Sequence, residues 1–180
     1  MLKNIRLPIN WKVLTAIVVL LSVVAFCFWW SGRTKSVNAV AQDVSDISAE
    51  IHRKYAHKNS YWGLNNASLE DTKVLRHRNN QMVNRFNKPV LIGQGENGDT
   101  IMPGEKTFDI VFINLSNMEC IRAATSIFES PEITGLMQIT IVGKESQIFE
   151  WGSEQYNLPI SQAAAKEFCT DNSKIIWTFE

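Results

Sequence analysis

The run from Val13 to Trp30 contains no charged residue and constrains the whole chain. At about 1.5 Å of rise per helical residue it matches the ~30 Å hydrocarbon core of a bilayer. It closes on Trp29 and Trp30, whose apolar rings and polar N–H suit a membrane interface. After Gly32-Arg33-Thr34-Lys35, apolar residues fall at Val37, Val40, Val44, Ile47, Ile51 and Tyr55, with Asp43, Asp46, Glu50 and Arg53 on other faces. Spacings of three and four mark one side of a helix. The pattern predicts a single helix, its first half in lipid and its second half laid against a globular domain. Residues 1–12 are then a cytoplasmic flank, 13–30 a transmembrane helix, and 31–180 a periplasmic domain whose helix, 34–56, continues from the span.

The flanks set the expected orientation. Lys3, Arg6, Lys12 and the α-amino group precede the run; Arg33 and Lys35 follow it and are soon offset by Asp43 and Asp46. The positive-inside rule puts the amino end in the cytoplasm and the domain, for a bacterial source, in the periplasm. A cleaved secretory signal is the rival reading, because Ala39-Val40-Ala41 imitates a cleavage site. The apolar run exceeds the usual ~7–15 residues of a signal, and Arg33 and Lys35 intervene before the site, so the anchor is expected.

Cysteine usage agrees with an oxidising space. Cys27 lies in the span, leaving Cys120 and Cys169 as an even pair in the domain. Either they form a bridge, worth about 4 kcal/mol for a loop of roughly fifty residues, or they are two separate buried thiols. Eighteen basic and eighteen acidic residues cancel, which argues against a nucleic-acid partner. A hydrophobic share of 45% supports a folded core.

Along the domain, Ser68-Leu69-Glu70-Asp71 has the form of a helix N-cap and predicts a short helix to about His77. Arg76 to Gln81 reads as an exposed connection. Pro89 to Gly93 is a first strand, followed by a hairpin turn at Gly95, Asn97, Gly98 and Asp99. That turn lacks the spacing and following helix of a phosphate-binding loop. Thr107 to Ile113 is apolar on both faces and reads as a central strand. Ser116-Asn117-Met118-Glu119 is a full capping box, starting a helix with Met118, Ile121, Thr125 and Phe128 on one side that stops before Pro131. Leu136–Val142 and Ser146–Trp151 are further strands; Ser161 caps a helix from Gln162 to Cys169. The closing strand alternates Ile175, Trp177 and Phe179 with Lys174, Thr178 and Glu180. The fold class is α+β, a small antiparallel sheet with the long helix on one face.

Nothing in the sequence assembles a catalytic centre. There is no G-x-S-x-G elbow and no C-x-x-C pair, and all three histidines lie between residues 52 and 77. His52 and His57 are five apart, off any shared helical face, and read as a solvated helix end rather than a metal site. Glu145, Glu150 and Glu154 read as surface carboxylates, although a membrane-tethered enzyme using them stands as one rival. No enzyme activity, cofactor or metal is expected.

Phe108-Asp109-Ile110-Val111-Phe112-Ile113-Asn114-Leu115, running into the capped helix with Cys120, carries a family resemblance. So do Ala163-Ala164-Ala165 ahead of Cys169, then Asn172 and Ile175-Ile176-Trp177-Thr178-Phe179, with Met82-Val83 and Phe86-Asn87-Lys88-Pro89-Val90 upstream. Over about residues 37–180 the chain resembles type IVb pilins and pilin-like proteins of the PilS-like group. The resemblance implies a long amino-terminal helix, half in the inner membrane, packed on an antiparallel sheet, and a Cys120–Cys169 disulfide pinning the carboxyl-terminal region. It implies a structural subunit whose partners are inner-membrane lipid and other pilin subunits or assembly proteins of a pilus or secretion system. Val37, Val40, Val44, Ile47 and Ile51 would bind the helix to its own sheet. Pilins also carry a glycine before the mature apolar segment and a glutamate at its fifth position. Here Leu7-Pro8-Ile9-Asn10-Trp11-Lys12 offers no glycine and the run from Val13 no acid, so an uncleaved, accessory component is expected. The alternative from another class is a single-pass inner-membrane protein with a periplasmic ligand- or protein-binding sensor domain.

Overall fold

The computed structural model describes residues 19–22, 39–72, 74, 76–79 and 81–180. The chain divides into two units, Met1–Ser36 and Val37–Glu180. In the first, residues 19–22 are helical and exposed. The Ser22 hydroxyl there donates to the Val19 carbonyl at 2.7 Å. Among the described residues no helix is long and apolar enough to cross a membrane. The expected span, Val13–Trp30, lies outside them apart from residues 19–22, and Val37 lies outside them too.

The second unit opens with α1, residues 39–55. Val40, Val44, Ile47, Ile51 and Tyr55 recur every three or four positions and are all buried, the most exposed at 6%. Gln42, Asp46, Ala49, Arg53 and Lys54 face outward. Each fully buried aliphatic of that row contributes roughly 1.5–3 kcal/mol relative to exposure, which holds the helix in place. The apolar side packs into one core with Phe108, Ile110, Phe112, Ile139, Trp177 and Phe179 from the sheet.

Beyond a 3-10 turn at Asn66–Leu69, the strands are β1 (Arg76–Arg78), β2 (Gln81–Val83), β3 (Val90–Gly93), β4 (Phe108–Leu115), β5 (Leu136–Val142), β6 (Ser146–Glu150) and β7 (Ser173–Phe179). The helices after α1 are α2 (Asn117–Ala124), α3 (Pro131–Thr134) and α4 (Gln162–Phe168). β1 and β2 form a hairpin; the main sheet has five strands in the order β3-β4-β7-β5-β6, all antiparallel. β7 therefore sits between β4 and β5, with Phe108↔Phe179 and Ile110↔Trp177 on one side and Ile139↔Trp177 and Ile141↔Ile175 on the other. Its placement explains why β7 buries nearly every side chain, Ile176 included. The predicted α+β arrangement, a helix with an antiparallel sheet, is what the chain forms.

The capping signals at Ser116 and Ser161 are used as read. Ser116 and Glu119 make the reciprocal capping box of α2, and the Ser161 hydroxyl accepts from the Ala164 N–H at the start of α4. At the β5–β6 turn only glycine fits position 143, because a Cβ there would lie 2.1 Å from the Phe168 carbonyl oxygen. That close approach seats the end of α4 against the sheet, with the Lys144 N–H donating to the same carbonyl.

Three expectations are corrected. No helix runs from Ser68 to His77: Asn65 is the cap, and Ser68 serves as the third residue of a 3-10 turn. The supposed connection Arg76–Gln81 is instead the β1–β2 hairpin. Its register pairs Arg78 with Gln81, and Asn79 takes φ +52°, a left-handed geometry that asparagine tolerates. α2 ends at Ala124, so Thr125 and Phe128 lie beyond it, and Met118 is exposed while Cys120, Ile121, Ala123 and Ala124 are buried.

Candidate functional site

The outer side of α1 is fixed by polar contacts, and they define the surface it presents. Arg85, from the turn after β2, makes two 2.6 Å hydrogen bonds to the Asp43 carboxylate. At the other end, Lys54, next to last in the helix, donates to the Ser68 carbonyl. Along the same helix, Ala41, Gln42, Ser45, Ser48, Ala49 and His52 form one wall of a groove of about 570 Å³. Its other wall is the connection after α2, where Ile127 and Ile133 are 63% and 71% exposed. Ser48 is 3% exposed, and its hydroxyl has no hydrogen-bond partner among the described residues. Glu129 also lines the groove, and on α3 a hydrogen bond from Ser130 holds the Glu132 carboxyl below its ordinary value.

His52 is half-buried rather than solvated as the sequence suggested. Its Nδ1 lies 2.9 Å from the Tyr61 hydroxyl, and its ring meets Phe108 edge-on at 5.4 Å. Burial lowers its pKa below the usual 6.5. Burial also raises that of Tyr61, with the Glu180 charge adding to the effect. Lys58, Lys106 and Glu180 complete a second cavity of about 280 Å³ beside this pair. Tyr61 and Phe108 both come from segments outside the helix, so no local pattern around His52 marks them as its cover.

Cys120 and Cys169 are bonded to each other, with Cα atoms 5.8 Å apart. The bridge joins the first turn of α2 to the end of α4. Two hydrogen bonds flank it: the Asn117 N–H to the Asp171 carboxylate and the Asn117 side-chain amide to the Cys169 carbonyl. The segment from 120 to 169 thus begins and ends at one pinned point, and it carries Ile127, Glu129 and Ile133 of the groove.

Elsewhere the sequence candidates do not converge. Glu145, Glu150, Glu154, His57 and His77 are exposed, and no group of three His, Cys, Asp or Glu side chains is placed to hold a metal among the described residues. One further contact was invisible in sequence. The Asn66 amide donates to the Val90 carbonyl at 2.8 Å and accepts from the Ile92 N–H at 2.6 Å, covering the edge of β3 as a neighbouring strand would.

Comparison with known proteins places this geometry. The family model described as PilS N terminal matches residues 34–180. Among solved structures, TcpA, a type IV pilin from Vibrio cholerae El Tor biotype, is similar with a TM-score of 0.54 at 13% identity, covering 81% of this chain and 99% of that one. The type IV b pilin from Salmonella typhi aligns with a TM-score of 0.47 at 11% identity, over 82% of this chain and 97% of that one. At such identities the likeness to TcpA is one of fold. No curated protein sequence matches.

Proposed function

The chain belongs to the PilS N-terminal family of type IVb pilin-like proteins, and on that premise we propose that it is a non-enzymatic structural subunit of a type IV pilus or related secretion system. It is held in the bacterial inner membrane by Val13–Trp30, with the amino end cytoplasmic and the domain periplasmic. The observation that carries this reading is the two-sided use of the amino-terminal region. Val40, Val44, Ile47 and Ile51 are spent entirely on the domain's own core. The run before them, Val13–Trp30, carries no charge in the sequence. Such a run is stable only in lipid or among equally apolar helices, and copies of this chain supply those.

The Cys120–Cys169 bridge supports the same reading, because a subunit that bears load outside the cytoplasm gains from a pinned surface segment. Lack of a glycine before Val13 and of an acid after it favours an accessory component that keeps its anchor.

Amino-terminal sequencing and affinity capture of the protein from bacterial membranes test this directly. An intact amino terminus and co-capture of pilus-assembly proteins are expected. A start near Val13 would convert the anchor into a processed filament subunit. Capture of a small ligand, with no assembly protein, would favour the sensor-domain alternative and end the subunit reading.

A further inference from the structure

A second, smaller apolar layer lies on the face of the sheet turned away from α1. Val111 and Ile176 are 0% and 8% exposed, yet neither belongs to the core that α1 shares with the sheet. Side chains alternate along a strand, and Ile110, Phe112, Ile175 and Trp177 take the core side, so Val111 and Ile176 point the other way. They are cross-strand partners, in a row with Leu91 of β3 and Thr140 of β5. The turn Gln94–Asp99, which follows β3, is bound to this face. We propose that it is a strap that locks β7 into the sheet, with Asp109 as the anchor that couples strap to strand.

The turn is closed by the Gln94 N–H donating to the Asp99 carbonyl at 2.8 Å and the Asp99 N–H to the Gln94 carbonyl at 3.0 Å. It folds back onto β3 so closely that a Cβ on Gly98, at φ +64°, would lie 2.7 Å from the Leu91 Cβ. From there it reaches across β4 to β7, where Lys174 donates to the Glu96 carboxylate at 3.0 Å. The Gly95 N–H donates to Asp109 Oδ2 at 2.6 Å, and the Thr178 hydroxyl of β7 donates to Asp109 Oδ1, also at 2.6 Å. One side chain of β4, 9% exposed, thus holds the strap with one oxygen and β7 with the other. Hydrogen bonds to a carboxylate are the stronger kind. The Glu96–Lys174 pair, 50% and 31% exposed, is screened by water, so the coupling runs through Asp109.

The strap reads the register of β7 as well as its presence. Lys174 and Thr178 are four apart on one face of the strand, roughly 13 Å along it. A slip of one residue turns both to the core side and takes them from Glu96 and Asp109. The strap therefore closes only on a β7 seated in the native register, and strap and strand open as one unit.

Native-state hydrogen exchange on the full chain in detergent tests the coupling from both sides. The Cys120 amide, bonded to the Ser116 carbonyl in α2, reports opening of the whole domain. Thr178→Val removes the hydroxyl from β7 and is expected to speed exchange at the Gly95 amide about ten-fold, the factor one such bond is worth, with Cys120 unmoved. Thr178→Ser keeps the hydroxyl and is expected to leave Gly95 as in the parent. Gly98→Ala pushes the turn off Leu91 and is expected to speed the Gly95 and Ile176 amides together. The proposal is overturned if Gly95 is unchanged in Thr178→Val, if Thr178→Val and Thr178→Ser behave alike, or if Gly98→Ala speeds Gly95 and leaves Ile176 at the parental rate. Where either Thr178→Val or Gly98→Ala also speeds Cys120, Glu96→Ala replaces it, and anything but joint quickening of Gly95 and Ile176 then overturns the proposal.

Discussion

Arg85 grips Asp43 through two parallel hydrogen bonds, Nε to one carboxylate oxygen and Nη2 to the other, both 2.6 Å. The pair joins the amino-terminal part of the first helix of the domain to a turn more than forty residues later, and nothing in the local sequence of either residue announces it. Asp43 reads as one of several charges on an outward face; only the folded chain shows that its partner comes from the far side of a hairpin.

Replacing the arginine tests the fork rather than the charge. Arg85→Lys keeps the positive charge but loses the two-pronged match, and because both side chains are about a third exposed the cost is modest, about 1 kcal/mol. Urea unfolding of the full chain in detergent measures it; a variant as stable as the parent would mean that the pair is solvent-screened to nothing.

The disulfide carries a larger share. A loop of 49 residues closed by Cys120 and Cys169 restricts the unfolded chain by about 4 kcal/mol in the chain-entropy model. Reduction, or the paired change Cys120→Ala and Cys169→Ala, is expected to lower the unfolding midpoint accordingly. Mass measurement of the non-reduced protein after thiol labelling checks that only Cys27 reacts.

Asn66 protects a sheet edge with a single amide. Asn66→Asp keeps an acceptor for the Ile92 N–H but sets a carboxylate against the Val90 carbonyl, so it is expected to cost more than Asn66→Ala, which leaves both backbone groups to water. Hydrogen exchange at the Ile92 amide should quicken in both variants, and equal protection in all three proteins would refute the role.

Acid is expected to weaken the domain through His52. Its folded pKa is lowered, so the unfolded chain takes up the proton first. The stability tied to neutral His52 is complete above about 6.5 and is lost as pH falls from there through the folded value. The sign is fixed by the ring's enclosure between Tyr61 and Phe108. His52→Asn should flatten the dependence of Tm on pH between 7 and 5, whatever it does to Tm itself.

Ser48 supplies a test in the opposite direction. Its buried hydroxyl lacks a partner among the described residues, so Ser48→Ala in the isolated subunit is expected to be neutral or stabilising by up to about 1 kcal/mol. Loss of stability on that change would show that the hydroxyl is satisfied after all.

How much of this was legible in sequence depends on how local the cause is. The alternation of β7, the doubly apolar β4 and the Ser116–Glu119 box are short-range patterns, and each lies where its residues indicated. The β1–β2 hairpin was missed because Arg76, His77 and Arg78 are all exposed, so no alternation marks them as a strand. The cap at Asn65 was missed because Ser68, three residues on, offers the more familiar signature while acting as its partner. The groove and the shielding of His52 are products of tertiary packing alone. Ile127 lies between helices, Ile133 sits on a single four-residue turn too short to show a period, and Tyr61 sits in a loop.

The place of β7 has a consequence for how the molecule is made. β7 follows β3, β4, β5 and β6 in the chain yet must enter between β4 and β5, so until it arrives the other strands of the main sheet form two separate ribbons, β3–β4 and β5–β6. A ribosome or an export channel that still holds residues 173–179 holds the domain open. Closure of the five-stranded sheet therefore waits until residues 173–179 are free to pair.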